Sequence, residues 1–483
     1  MSRINTNVES LVARRALGIN NASLNQALGR LSTGLRINSG RDDPAGLIAS
    51  ETLRSSLRAI DTAIDNATRA NTIVSVAEGG LQEVSSLLLD LENLIDQTAN
   101  EAGMTAEEVS ANQIQIDSIL ASINRLAEAT AFGNKKLLNG NLDFTTSGIN
   151  IDTMTGSAVD HLDRVQINAA KVPTGATRQV NIEVVNASEV AVISAVPAGA
   201  GSTLSGAATF QIRGNLGSET LSFASGTTTS AVAAAINASQ ELTGVAASAG
   251  GGDLILQSTS FGSDQFVSVS FLQGATAFVS QAESVTDHGT DGTVTINGAN
   301  AVVRGLTASV NTASLSLDLT LAAAFGGTTG NSSRFDITGG GAIFSISPTV
   351  GLSGLEALGL GEVSTAKLGN SGVGFLATLG TGLTNDLSSK NFTTAQRVVR
   401  AAIDQVAKLR GRLGGFQKDT LTTTVNSLQV ARENVTAAES AIRDADFAVE
   451  TSNLTRAQIL VNSSTQVLQL ANAAPQNVLA LLG

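Results

Sequence analysis

The chain has 483 residues and a net charge of -12, with 48 glycines, 3% aromatics and no cysteine, tryptophan or tyrosine. That length allows roughly three domains with real cores. The composition excludes disulfides and thiol chemistry and leaves stability to aliphatic packing. The first residues hold no apolar run followed by a small-residue cleavage site, so no cleavable secretory signal is expected. No stretch of eighteen apolar residues suggests a membrane span.

Residues 1 to 36 carry Arg3, Arg14, Arg15, Arg30 and Arg36 against Glu9 alone. No aromatic residue accompanies these arginines, which argues against a nucleic-acid surface. From Leu17, the apolar positions Leu24, Leu28, Leu31 and Leu35 step by sevens, fours and threes, the spacing of a coiled-coil seam, and predict a helix from near residue 5 to about 33. Gly34, Gly40 and Pro44 interrupt it, and Asp42-Asp43-Pro44 supplies caps and a first-turn proline for the next helix. A second run, Leu53, Leu57, Ile60, Ile64, Ala67, Asn71, Val74, Ala77, Leu81, Val84, Leu88, Leu91 and Ile95, predicts a long packed helix. After Gly103 the pattern returns at Val109, Asn112, Ile116, Ile119, Ile123 and Leu126, before Gly133 and Gly140.

The C-terminal part mirrors this arm. Val399, Ile403 and Val406 begin a helix, Gly411, Gly414 and Gly415 loosen it, and Leu421, Val425, Leu428, Val435, Ile442 and Val449 resume it. Two arms with unpaired seams are expected to pack on each other and loop out the chain between them. That middle, residues 144 to 385, is the acidic part, with seven Lys/Arg against sixteen Asp/Glu. Alternation at Val180-Val185, Phe266-Phe271 and Gly292-Asn297 predicts strands, Ser230-Ile236 a short helix, and the whole an α+β insert, divided into two subdomains near residues 275 to 290. The fold class is therefore α+β: coiled-coil-like terminal helices around a β-rich insert.

Chemistry is sparsely signalled. Only His161 and His288 occur, with no zincin motif around either. Asp287-His-Gly-Thr-Asp291-Gly lacks the remaining ligands of a calcium loop and reads as a turn. Gly339-Gly-Gly-Ala342 and Gly250-Gly-Gly-Asp253 read the same way, since no Lys-Ser/Thr follows to make a phosphate loop. No Gly-x-Ser-x-Gly stands between a clear strand and helix. We expect no enzyme activity, no metal and no cofactor.

The last 27 residues, Ala457 to Gly483, contain no charged side chain. Leu460, Val467, Leu470, Val478 and Leu481 are interleaved with Gln458, Asn462, Gln466, Gln469, Asn472 and Gln476. A helix without a charged stripe is expected to be enclosed on all sides, and amides can bond partner helices without the desolvation cost of ions. The expected neighbours are other copies of the same end.

Both ends closely resemble bacterial flagellin, the subunit of the flagellar filament. The resemblance rests on Ile4-Asn-Thr-Asn7, Leu31-Ser-Thr-Gly-Leu-Arg-Ile-Asn-Ser39, Asp42-Asp-Pro-Ala-Gly46, Ile442-Arg-Asp-Ala-Asp446, Ala457-Gln-Ile-Leu460 and Ala474-Pro-Gln-Asn-Val-Leu479. In the insert, Phe210-Gln-Ile-Arg-Gly-Asn215, Thr227 to Asn237 and Phe266-Val-Ser-Val269 look like the repeat domain of flagellin and hook-associated inserts. Pro44 departs from the family, many of whose members have Ala there, and should stiffen the corner.

The resemblance implies a motility filament with three layers. These are an inner terminal domain (1-43 plus 450-483), a helical shell with a β-hairpin (44-175 plus 386-449) and a variable outer domain (176-385). It implies a homopolymer, extracellular in the bacterial flagellum, exported unfolded through the flagellar type III apparatus. A chaperone would guard the C-terminal helix, and cap and hook-junction proteins would be further partners. Candidate polymerisation residues are Ile4, Val8, Leu11, Leu24, Leu28, Leu31, Arg41, Asp42, Asp43, Leu460, Val467, Leu470, Val478 and Leu481. Where enteric flagellins carry basic residues read by the flagellin-sensing Toll-like receptor, this chain has Asp90 and Glu92, with Leu94 retained, so weak activation is expected. The alternatives are a hook-filament junction protein, or a filament subunit with an adhesive or enzymatic insert.

Overall fold

A computed structural model describes residues 6–100, 103–149, 161–173, 175–197, 203–250, 253–274, 278–279, 284–370 and 372–480, with the side chains of 195–197, 278–279, 284 and 474–480 left out. Ile4 and Leu481, and the side chain of Val478, therefore lie outside the described residues. The chain divides into two compact units, one of residues 1–70, 345–350 and 418–483, the other of 71–344 and 351–417.

Three helices form the N-terminal arm: α1 (Val8–Thr33), α2 (Pro44–Thr98) and α3 (Ala106–Ala129). Each boundary has a local cause. The Asn7 side chain accepts from the Ser10 amide, and Gly34 closes α1 in the left-handed region at φ 73°, where only glycine is unstrained. Asp43 Oδ1 accepts from the Gly46 amide at 2.9 Å at the start of α2. Thr105 and Glu108 form a reciprocal capping box on α3.

In the second unit, α2 presents Val74, Ala77, Leu81, Val84, Leu88, Leu91 and Ile95 at no more than 1% exposure. These meet Ile116, Leu120 and Ile123 of α3 and, from α7 (Phe392–Gly415), Val398, Val399, Ala402, Val406, Leu409 and Leu413. Each fully buried aliphatic side chain contributes about 1.5–3 kcal/mol. Polar clamps line the rim: Arg410 to Glu78 at 3.2 Å, Arg400 to Glu92 at 2.8 Å, and Gln396 to Asp96 at 2.7 Å. Their order makes α2 and α7 antiparallel. A short hairpin, Ala131–Phe132 with Lys135–Lys136, follows α3.

The insert has two apolar cores. One lies within a five-stranded sheet, in which Arg178–Asn186 sits between Thr293–Ile296 and Ser332–Gly340, and a four-stranded sheet that includes Leu162–Ala170 and Leu315–Leu321. The short helix α6 (Ala323–Gly326) adds Phe325 to it. The other core joins Ala208–Gly214, Ser218–Phe223, Val245–Gly250, Asp253–Ser258 and Phe266–Gln273 to the helix α4 (Thr229–Ala238). A single-turn helix, α5 (Gln240–Thr243), follows α4. Strands on both sides of residues 191–288 build the first core, so the chain leaves that core and returns to it. Of Gly339-Gly-Gly-Ala342, expected as a turn, only Gly341 is a bend: Gly339 and Gly340 end the strand Ser332–Gly340 and pair with Thr145 and Phe144, with all three glycines at positive φ.

In the first unit, α8 (Thr423–Arg443) packs Leu428 on Ile60 and Ala63 of α2, and Arg432 meets Asp61 at 3.0 Å. Gly411 and Gly414 do not interrupt α7; the ladder widens after them, and Phe416–Thr422 is wound as a π-helix. The run through Ile442 to Val449 is broken, contrary to the periodicity. Asp444 is extended at ψ 147°, and Asp446 accepts from the Ala448 and Val449 amides, which starts α9 (Phe447–Ala480).

Candidate functional site

The terminal helices α1 and α9 pair side by side and antiparallel. Asn7 Nδ2 donates to the Ala471 carbonyl at 2.7 Å, Ser10 Oγ to Asn472 Oδ1 at 2.7 Å, Asn20 Nδ2 to Ser464 Oγ at 2.7 Å, and Arg30 Nη1 to Glu450 Oε1 at 2.9 Å. The shared seam follows a heptad. On α1 it runs through Ala13, Leu17, Asn20, Leu24, Ala27 and Leu31, and on α9 through Glu450, Leu454, Ala457, Val461, Ser464, Leu468 and Ala471, all buried or half-buried.

This seam leaves many of the large apolar residues uncovered. Val8 (56% exposed), Leu11 (56%), Val12 (52%), Ile19 (60%) and Leu28 (46%) stay uncovered on α1, as do Ile459 (60%), Leu460 (45%), Val467 (56%) and Leu470 (74%) on α9. Gln458, Asn462, Gln466 and Gln469 are exposed among them. Of the candidate polymerisation residues, Leu24 and Leu31 belong to the pair's own seam, and Val8, Leu11, Leu28, Leu460, Val467 and Leu470 form its outer face. The sequence reading missed the polar links Asn20, Arg30, Glu450 and Ser464. The signal was there in the heptad phase that Ala13 and Ala27 share with Leu17, Leu24 and Leu31, which Leu28 and Leu35 obscured.

The corner after α1 is held by its own acids. Asp42 Oδ2 accepts from the amides of Asn38 and Ser39 and from Ser39 Oγ, and Oδ1 accepts from Gln26 on α1. The Ser39 bonds hold the Asp42 carboxyl below its ordinary pKa. A Cβ on Gly46, in the first turn of α2, would come within 2.4 Å of Asp43 Oδ2 and 2.7 Å of Ile37 Cδ1, so a larger residue there would displace the Asp43 cap and the Ile37 side chain. Arg41 is exposed. The corner is tied to the start of α9: Leu35 bridges Asp444, the Arg36 amide donates to the Arg443 carbonyl at 2.7 Å, and Ala445 donates to Gly34 at 2.9 Å.

On α2, Asp90 is exposed, whereas Glu92 is held by Arg400 and Leu94 is half-buried against the helical core. A second polar cluster was not legible in the sequence. Burial pushes the Asp143 carboxyl up and the Arg164 and Arg412 guanidiniums down, with Asp318 the strongest opposing charge on both arginines. Arg412 Nη1 and Gln166 Nε2 are buried there without a protein partner.

Among the described residues no group of His, Cys, Asp or Glu could hold a metal ion, and no helix is long and apolar enough to cross a membrane.

Family models match both arms and part of the insert: the bacterial flagellin N-terminal helical region over residues 4–143, its C-terminal helical region over 397–482, and the flagellin hook IN motif over 209–260. Polar flagellin F of Vibrio parahaemolyticus is 29% identical over 484 residues, covering 99% of each chain. Flagellin E of Vibrio cholerae is 42% identical over 156 residues, 32% of this chain and 40% of its own. Among solved structures, the flagellar junction protein of Legionella pneumophila aligns with 83% of this chain and all of its own at 13% identity, but with a TM-score of 0.25, too low to carry an argument. With both terminal helical regions in place and flagellins matching from end to end, the chain belongs to the bacterial flagellin family, the structural subunits of the flagellar filament.

Proposed function

We propose that this chain polymerises through the outer face of the α1–α9 pair. The reading rests on one observation: after the pair has satisfied its own seam, Ile459, Leu460, Val467 and Leu470 remain exposed on a helix with no charge after Arg456. Apolar surface of this kind marks an association site, and copies of the same pair supply matching stripes. The flanking amides serve both faces, because they can bond a neighbour without the cost of burying an ion. The three layers 1-43 plus 450-483, 44-175 plus 386-449, and 176-385 follow, with the insert outermost. The insert is proposed to be free of enzyme activity.

Before assembly the same stripe would drive premature association, so we include a chaperone covering α9 and export of the unfolded chain. Cap and junction proteins complete the partner set. Electron microscopy of the purified protein, before and after removal of residues 457–483, tests the assembly role. Filaments should vanish on truncation, and normal filaments from the shortened chain would refute it.

A further inference from the structure

Glu9 has an unusual position. It is the only side-chain carboxylate in residues 1–41, and residues 451–483 contain none. It is exposed, has no ion-pair partner among the described residues, and sits between Val8 and Leu11 in the uncovered stripe. When another copy covers that stripe, Glu9 loses part of its water with it. A carboxylate that loses its water without gaining a partner is strongly disfavoured, so a cation must meet it.

One cation on the uncovered face of α9 is free to do so. Arg456 is exposed and without an ion-pair partner among the described residues. It lines a groove of about 270 Å³ between the two helices, together with Asn20, Gln26, Arg30, Asn453 and Leu460. Arg30 Nε in the same groove is buried with no acceptor. Arg456 lies three and four residues before Ile459 and Leu460, so on both helices the charge neighbours exposed apolar residues.

Resting on the polymerisation reading above, we infer that Glu9 of one copy docks on Arg456 at the α1–α9 groove of a second copy. Pairing within one chain is ruled out by the helix register. Ser10 bonds Asn472, and Arg456 is sixteen residues farther along α9, about 24 Å at 1.5 Å per residue. The contact is therefore between different patches of two copies, staggered by about that length along the helix pair. Unlike patches give an open chain of subunits, whereas a self-complementary patch closes into a dimer. Pairing of Glu9 with Arg14 or Arg15 would need almost no stagger and would favour the closed form.

The absence of native cysteine makes a clean test possible. Glu9→Cys and Arg456→Cys chains are purified separately, mixed with an excess of wild-type protein, polymerised and oxidised. A crosslinked dimer should appear in filaments and be absent from the unpolymerised mixture. Filaments that incorporate both variants without crosslinking overturn the docking, and so does a crosslink formed in the unpolymerised mixture. Failure of wild-type protein to form filaments would instead overturn the parent reading. As a second measurement, Glu9→Arg alone should raise the critical concentration about threefold, in the range of a partly exposed ion pair, and Arg456→Glu in the same chain should restore it. Assembly of Glu9→Arg at the wild-type concentration, or a double variant no better than the single ones, also overturns the docking.

Discussion

Arg30 and Glu450 meet at 2.9 Å across the α1–α9 seam, with the Glu450 side chain only 8% exposed and that of Arg30 23%. The pair sits at the end of the seam nearest the corner and fixes which residues of the two helices face each other. Removing one partner leaves the other charge poorly solvated. Glu450→Ala should therefore destabilise the pair by about 2 kcal/mol, seen as a lower depolymerisation temperature of filaments. An unchanged temperature would show that the seam alone sets the register.

Leu88 and Leu89 are adjacent on α2, the first fully buried and the second 50% exposed. Leu88→Ala should cost about 3 kcal/mol in urea unfolding of the monomer, and Leu89→Ala less than about 0.5 kcal/mol. Equal losses would mean that α2 presents a different face to α3 and α7.

Asp143 accepts a hydrogen bond from the Phe144 amide at 2.8 Å, yet burial raises its pKa. A carboxyl raised in the fold binds its proton more readily there than in the unfolded chain. Its charge is therefore a destabilising term at neutral pH, relieved as pH falls through the raised value toward the ordinary carboxyl range. Asp143→Asn should raise the neutral-pH melting temperature and flatten its dependence on mild acid. A variant less stable than wild type at pH 7 would show that the nearby arginines outweigh burial.

Purified monomer should activate the flagellin-sensing Toll-like receptor weakly, because Asp90 stands exposed on α2. Asp90→Arg should raise the response severalfold, since like charges at an interface centre cost several kcal/mol. Glu92→Arg should have a mixed effect, because it also breaks the pair with Arg400. A strong response to the unmodified monomer in reporter cells would sink this assignment.

The long helices were legible because α2 repeats an apolar residue every three or four positions from Leu53 to Ile95, a pattern only a one-sided burial explains. The break at Asp444 to Asp446 was not. Ile442 and Val449 are seven residues apart and keep the heptad phase across it, so the periodicity conceals a cap that Asp446 alone announces. The seam of the terminal pair was legible at Leu17, Leu24 and Leu31 but misplaced elsewhere for a related reason. Leucines and a valine draw attention to 28, 460, 467 and 470, whereas the most deeply buried contacts are Ala13, Ala27, Ala457 and Ala471. The Asp143, Arg164 and Arg412 cluster joins residues distant in sequence, and no local pattern marks it.

Val8, Leu11, Ile19, Ile459, Val467 and Leu470 stay uncovered in a lone α1–α9 pair, so the pair gains only part of what its apolar side chains could provide. On the assembly proposed above, the rest of the cohesion is held back for neighbours. A subunit in the shaft, covered on every side, should then be retained far longer than one at the growing tip. Exchange of labelled subunits would be confined to filament ends, and a broken filament would lose material from its fracture faces while the length between them stayed intact.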